Sequence, residues 1–391
     1  MQELSQVARN IPVSMTLAVS DKAGALKAAG QDVIALAGGD PDFDTPTHIT
    51  AAAFKAIEQG ATHYPSPMKG ITPLLEAIAL KLEQENQIKV DPRTDVVVTP
   101  GGKWALNLAL SILLNPGDEV IYFDPFWVSY PSIILLNGGV PVRVQLNSTD
   151  NFTITAELIQ AHISSKTKAI MVNTPTNPTG RVLTQAEIDV LTAVAVQNDL
   201  YVLSDEIYEK LIFDGRRHIS PAAQPGMAER TLIVNGFSKA YAMTGWRLGY
   251  LAGPGEIMKI AARINGQTIS SSATFTMHAA VAALTDPQDC IAAMRDSYQA
   301  RRDFMVPALN SIEGIECAMI EGAFYLMPCF PNSSKNSMQL ADALLDLAGI
   351  AGTPGAAFGQ AAEGHVRFSI ATAMSELERA VERLAQIAHK L

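Results

Sequence analysis

Apolar residues in this chain follow two rhythms. Short runs rich in β-branched and aromatic residues recur through residues 95–253: "DVVVTP", "EVIYFDP", "VPVRVQL", "KAIMVNTP", "LYVLSDE", "TLIVNGF" and "RLGYLAG", which predict seven strands. Between them, "KWALNLALSILL" (103–114), "VSYPSIILLNG" (128–138) and "TQAEIDVLTAVAVQND" (184–199) repeat at helical spacing. Strands that alternate with helices predict an α/β fold, a mostly parallel sheet covered by helices on both faces. The last pair differs, because only about a dozen residues separate "TLIVN" from "RLGYLAG", close to the lower limit for a parallel crossover. One antiparallel strand is therefore expected there.

Long helical patterns follow "LAGPGEIMKIAARIN", and near residue 310 the organisation changes. "GIECAMIEGAFYLMPCF" (314–330) and "HVRFSIA" (365–371) read as strands, with "MQLADALLDLAG" and "SELERAVERLAQIAHKL" as helices. This gives a smaller α+β domain at 291–391 beside a large domain at 46–290, with an N-terminal segment, 1–45, packing on the small one.

Composition narrows the chemistry. With 391 residues, 48% of them apolar, the chain can bury more than one core. A formal net charge of −10, with no Lys/Arg run, argues against a nucleic-acid partner. "MQELSQVARN" lacks the pattern of a secretory signal, and no apolar stretch reaches the roughly 18 residues that suggest a membrane helix. Cys290, Cys317 and Cys329 lie in no metal or redox spacing and read as packing residues in a reducing cytoplasm. The seven histidines form no HxH or HExxH pattern, so no metal site is expected.

Four loops at carboxyl ends of strands carry the candidate chemistry. In "TPGGKWALN" (99–107), two glycines precede a helix, so backbone amides of Gly101, Gly102 and Lys103 could meet a phosphate; by itself the pattern is also that of an ordinary turn. In "NTPTNPTGR" (173–181), two X-Pro bonds hold Asn177 in a rigid loop. "SDEIYE" (204–209) puts Asp205 just past a buried strand, as a helix cap or a functional charge, with Tyr208 one turn on. "FSKAYAMTGWRLGY" (237–250) sets Lys239 at the mouth of a buried strand, where open α/β sheets bind ligands, and Arg247 eight residues later. Together these groups suit a phosphorylated pyridine aldehyde: the lysine forms a Schiff base, and the aspartate keeps the ring nitrogen protonated.

With these motifs in order, joined by "GGDPDFDTP" (38–46), "THYPSPMKGITPLLEAIA" (62–79), "FWVSYP" (126–131) and "HVRFSIA", the sequence resembles the class I, fold type I pyridoxal-phosphate aminotransferases. It is similar to their bacterial aspartate aminotransferase subgroup, which includes aspartate/prephenate enzymes. The resemblance covers nearly the whole chain. It implies a fold type I transferase with a seven-stranded sheet, pyridoxal 5′-phosphate as cofactor, and a homodimer whose active sites are shared.

By the same resemblance, Lys239 is the Schiff-base lysine and later the base of proton transfer, and Asp205 partners the pyridinium nitrogen. Tyr208 and Asn177 bond the ring phenolate, Trp127 stacks on the ring, and Gly101, Gly102, Lys103, Ser238 and Arg247 cradle the phosphate. Tyr64 reaches the phosphate of the neighbouring subunit. Arg367 grips the substrate α-carboxylate, which Gly39 approaches through its backbone, and the two lobes are expected to close on substrate. Asn177 and Trp127 border the substrate as well. Lys103 is the candidate for a distal carboxylate; its plainer reading is general positive potential near the phosphate. Thr16 and Ser270 are expected to line the pocket from the partner chain. One departure is Gly236, where many relatives have a serine. Tyr130, Trp246 and Trp104 read as packing residues.

Three functions follow. The first is transfer of an amino group by a ping-pong mechanism, with aspartate as favoured donor and 2-oxoglutarate as acceptor; prephenate, aromatic or other amino acids remain open. The second is a β-eliminating lyase on the same scaffold. The third is a non-catalytic regulator, against which the intact lysine and the lack of a preceding helix-turn-helix segment both argue.

Overall fold

The computed structural model describes residues 3–5, 8–9, 11–12 and 15–391. All seven expected strands of the large sheet form: β1 (Val96–Thr99), β2 (Glu119–Asp124), β3 (Val140–Gln145), β4 (Thr167–Asn173), β5 (Tyr201–Asp205), β6 (Thr231–Gly236) and β7 (Gly249–Ala252). Their order is β1-β7-β6-β5-β4-β2-β3. Only β7 runs against its neighbours, pairing antiparallel with both β1 and β6. The short link before it favours that reversal, since a parallel crossover of about this length leaves little room for a helix.

Alternation along each strand sends side chains to opposite faces. Val97, Ala169 and Met171 pack with helices Gly102–Leu113 and Gly255–Thr268. Ile170 and Val172 pack instead with helix Gln185–Gln197, and Val96 and Val98 with helices Thr47–Glu58, Thr72–Asn86 and Thr274–Thr285. Edge strand β3 keeps only Val144 fully buried, as expected for a strand with one unpaired side. Helix Gln185–Gln197 begins with a capping box in which Thr184 and Glu187 satisfy each other's backbone amides. Arg181 then pairs with buried Glu187 through both terminal nitrogens at 3.0 Å.

The C-terminal part packs around Tyr298, Phe324, Tyr325 and Phe368. Its helices are Asp289–Asn310, Ser337–Ala348 and Met374–Ile387. Its strands are shorter than the sequence suggests: a three-stranded antiparallel set joins Thr353–Pro354, Val366–Ser369 and Tyr325–Leu326, while 314–324 contributes only isolated bridges. The backbone explains it. Ala323 takes a left-handed φ of +57°, and Pro328 has no amide to donate to a ladder. Ile34–Ala35 pairs in parallel with Ile350–Ala351, which brings the following "AGGD" segment to the junction between the two parts.

Candidate active site

The turn after β5 divides its polar side chains between two sides. Asp205 and Tyr208 face a cavity of about 420 Å³ at the carboxyl ends of β4 to β6. Glu206 and Glu209 enter a buried network behind it. Glu206 accepts bonds from the Ser204 and Ser220 hydroxyls at 2.9 and 2.5 Å and lies 2.9 Å from His218 Nε2. Glu209 is held by Lys81, Asn86 and Asn235. Burial works against a charged imidazole, but Glu206 overcomes it and raises the His218 pKa. This network anchors the turn from behind and leaves its front face for chemistry.

In front, Asp205 is 6% exposed and is pushed up to about 6 by burial, against hydrogen bonds from Tyr130 and from the Ile207 backbone. The Tyr130 hydroxyl donates to Asp205 Oδ2 at 2.8 Å. Tyr130 is thus more than packing, a correction to the sequence reading. The available signal was its place one turn after Trp127, where it opens helix Tyr130–Leu136. Trp127 meets the Tyr130 ring edge-on with centroids 5.5 Å apart, and Lys103 Nζ lies 5.0 Å from the Trp127 centroid. Burial and then Arg247 lower the Lys103 pKa.

Lys239 follows β6 and projects into the same cavity, where Nζ donates to the Gly39 carbonyl at 2.6 Å. Desolvation lowers its pKa to about 8, with Asp40 pulling the other way and Arg367 and Arg247 adding to the fall. An amine at that value is partly neutral near physiological pH, as a nucleophile must be.

The double-glycine loop closes one end. Gly101 has φ +89°, and a Cβ there would lie 2.6 Å from Arg247 Nη2. Arg247 itself takes φ +51° and is braced by the Thr244 and Pro100 carbonyls at 2.8 and 3.3 Å. Gly249 permits the close approach of β7: its Cβ would meet Gly101 C and Gly102 N at 2.9 Å. Gly236 is fixed by the same packing. A side chain there would sit 2.9 Å from Gly249 Cα, so a serine in its place would collide with the neighbouring strand. Ser238 lines the cavity nearby.

At the other end, Arg367 is buried on strand Val366–Ser369. It donates to Asn177 Oδ1 at 2.9 Å and to the Ala37 carbonyl at 2.8 Å, while its Nε has no partner. The Asn177 amide is aligned by Asn173, whose Oδ1 accepts the Asn177 backbone N–H at 2.8 Å, and Asn177 Nδ2 lies 3.5 Å from Tyr208 Oη. Tyr325, unmarked by any sequence signal, stands between these groups: its ring centroid is 4.3 Å from Arg367 Cζ and its hydroxyl 3.0 Å from that of Tyr208.

Of the residues expected from sequence, Gly39, Gly102, Lys103, Trp127, Asn177, Asp205, Tyr208, Ser238, Lys239, Arg247 and Arg367 line this one cavity. Gly101 stands just behind, against Arg247. Thr16 also lines it, from helix Met15–Ala28 of the same chain rather than from a partner. Tyr64, 76% exposed, and Ser270 are not part of the lining. Trp246 donates to Thr45 at 3.0 Å beside the core, and Trp104, half-buried rather than core, donates to Asn265 at 2.9 Å.

The donor set suits one kind of ligand. Glycine amides at a helix start and an arginine suit a phosphate, a carboxylate at depth suits a ring nitrogen, an amine of lowered pKa suits an aldehyde, and an arginine with a free buried N–H suits a carboxylate. The residues therefore fit pyridoxal phosphate together with an amino acid.

Comparison with known proteins gives the family and the fold. The family model for class I and II aminotransferases matches residues 31–384. The chain is 43% identical to the aspartate/prephenate aminotransferase of Cereibacter sphaeroides over 98% of both chains, and 40% identical to the aspartate aminotransferase of Geobacillus stearothermophilus, also over 98% of both. Among solved structures, the aspartate aminotransferase from Thermus thermophilus with maleate superposes with a TM-score of 0.94 at 41% identity, covering 99% of this chain and 100% of that one.

Proposed function

Because this chain belongs to the class I and II aminotransferases, and is therefore a transaminase, we propose that it moves an amino group from aspartate to 2-oxoglutarate by a ping-pong mechanism with pyridoxal 5′-phosphate. The observation that carries the reading is the meeting of Lys239, Asp205 and Arg367 in one cavity that Lys103 also lines. When bound, the cofactor supplies an aldehyde for amines to condense with and a ring that draws electrons from the substrate Cα. Gly101, Gly102, Ser238 and Arg247 hold its phosphate, and Asp205 holds its ring nitrogen charged. Tyr208 and Asn177 hold its ring oxygen. Trp127 covers one ring face.

Arg367 clamps the α-carboxylate through two N–H groups, which fixes the orientation of Cα. Lys239 Nζ, whose pKa is already lowered by burial in the cofactor-free protein, would take the proton from Cα of the donor and, in the acceptor half-cycle, deliver one to Cα of the acceptor. Lys103 meets the distal carboxylate of aspartate, and Thr16 borders the same space. We extend the reading to a homodimer in the cytoplasm in which Tyr64 serves the neighbouring site. Exposed Phe54, Tyr64 and Leu80, 69%, 76% and 51% accessible, support the dimer. Among the described residues, no helix is long and apolar enough to cross a membrane. Domain limits of 46–290 and 291–391 belong to the same reading, with closure on substrate.

The test is the absorbance spectrum of the holoenzyme with excess L-aspartate and no oxoacid. Conversion from the pyridoxal to the pyridoxamine form supports aspartate as donor, and a Lys103→Ala variant that loses aspartate but keeps alanine supports the distal contact. An unchanged spectrum removes aspartate. A second reading, an aromatic or prephenate substrate, is favoured by a small cavity of about 40 Å³ beside Trp127, lined by Phe123, Phe126 and Tyr130 together with polar Asn173, Asn177 and Arg181. The same assay with phenylalanine tests it.

A further inference from the structure

Tyr325 is buried to 1% exposure, and two different parts of its side chain touch two different site residues. Its ring centroid lies 4.3 Å from Arg367 Cζ, and the Phe358 ring centroid lies 4.7 Å from the same Cζ. Its hydroxyl lies 3.0 Å from Tyr208 Oη. Gly39 leaves room for that hydroxyl: a Cβ at residue 39 would come within 2.9 Å of Tyr325 Oη. Asn177 joins the same two groups by a second route, accepting from Arg367 at 2.9 Å and facing Tyr208 at 3.5 Å.

We propose that Tyr325 is a positioning residue with two separable roles, its ring seating Arg367 for the substrate carboxylate and its hydroxyl feeding a hydrogen bond into Tyr208. The proposal rests on the functional reading above. If Tyr208 donates its own proton toward the cofactor ring oxygen, its lone pairs are left to accept, and the Tyr325 O–H is the donor placed to use one. Burial raises the Tyr325 pKa, so its proton is retained at neutral pH. A hydroxyl that accepts one bond becomes a stronger donor in the next, so the chain Tyr325 to Tyr208 stabilises negative charge on the ring oxygen. The ring works separately. A guanidinium held by contact with two aromatic rings, Tyr325 and Phe358, is fixed in position while its unpartnered Nε–H stays available to a planar carboxylate.

The experiment compares wild-type holoenzyme with Tyr325→Phe and Tyr325→Leu. Tyr325→Phe keeps the ring and removes the oxygen. It should raise the pH midpoint of the holoenzyme's absorbance transition by roughly 0.1–0.6 pH unit, from the roughly 10–30% by which one hydrogen bond strengthens the next, and lower kcat about two-fold or more, with KM for amino acid and oxoacid within about two-fold of wild type. Tyr325→Leu should add a KM increase of roughly ten-fold for both substrates. A Tyr325→Phe midpoint equal to wild type overturns the role of the hydroxyl. A KM increase in Tyr325→Phe as large as in Tyr325→Leu overturns the separation of roles. The phenylalanine variant conserves volume and decides the proposal even if the leucine variant does not fold. Failure of the functional reading would look different: wild type itself would not transaminate.

Discussion

Asp205→Asn in the cofactor-free protein should stabilise the fold while removing the function. The carboxyl is buried, and burial is the largest cause moving its pKa from 3.8 to about 6. A group whose folded-state pKa lies above its unfolded value contributes stability that is complete below the unfolded value and lost as pH rises through the folded one. For Asp205 that window runs from about pH 4 to above pH 6. At about 1.4 kcal/mol per pH unit, an interval of roughly two units amounts to about 3 kcal/mol. An asparagine occupies nearly the same volume, still accepts the Tyr130 hydroxyl and never ionises. The assay is denaturant unfolding of both apoproteins at pH 4, 6 and 8 and equal concentration, where the other carboxylates titrate alike and cancel. The variant and wild type should match near pH 4, and the variant should be about 3 kcal/mol more stable at pH 8. With cofactor bound, the cationic ring nitrogen turns the charge of Asp205 into an attraction, so the advantage should shrink or reverse and turnover should fall roughly 100-fold or more. A difference independent of pH, or a wild type more stable at pH 8, would refute the reasoning.

Three further outcomes are expected. Tyr130→Phe removes the 2.8 Å donor to Asp205; a hydrogen bond to a charged group is worth roughly 1.5–3 kcal/mol, so the Asp205 titration of the apoprotein, followed by NMR, should move up by about one pH unit. Gly101→Ala forces a Cβ to 2.6 Å from Arg247 Nη2 at a left-handed φ, and cofactor titration should show affinity at least roughly ten-fold weaker. Arg367→Lys replaces a planar fork with a point charge, and steady-state kinetics should show KM for both amino acid and oxoacid raised on the order of ten-fold or more. An unchanged KM would remove Arg367 from the carboxylate site.

Much of this protein was legible along the chain because its information is local. A buried parallel strand is a β-branched run whatever packs on it, so the seven strands could be read directly, and the short link between β6 and β7 carried its own topological consequence. Lys239, Asp205, Asn177 and Arg247 were found because each stands at the end of such a run, where parallel sheets open to ligands. The small-domain strands were over-read at 314–324 because apolar composition does not reveal a left-handed residue at Ala323.

What the sequence by itself determined was the set of chemical groups and the ends of the strands that carry them. What only the tertiary structure decided was which side chains touch across large sequence separations: Tyr130 on Asp205, 75 residues away, Tyr325 between Tyr208 and Arg367, and Thr16 in its own chain's cavity. The absent serine at Gly236 belongs here too, since its reason is the backbone of Gly249 at 2.9 Å. Periodicity encodes which face a residue occupies, whereas these contacts depend on how separate elements are placed in space, and no local pattern carries that distance.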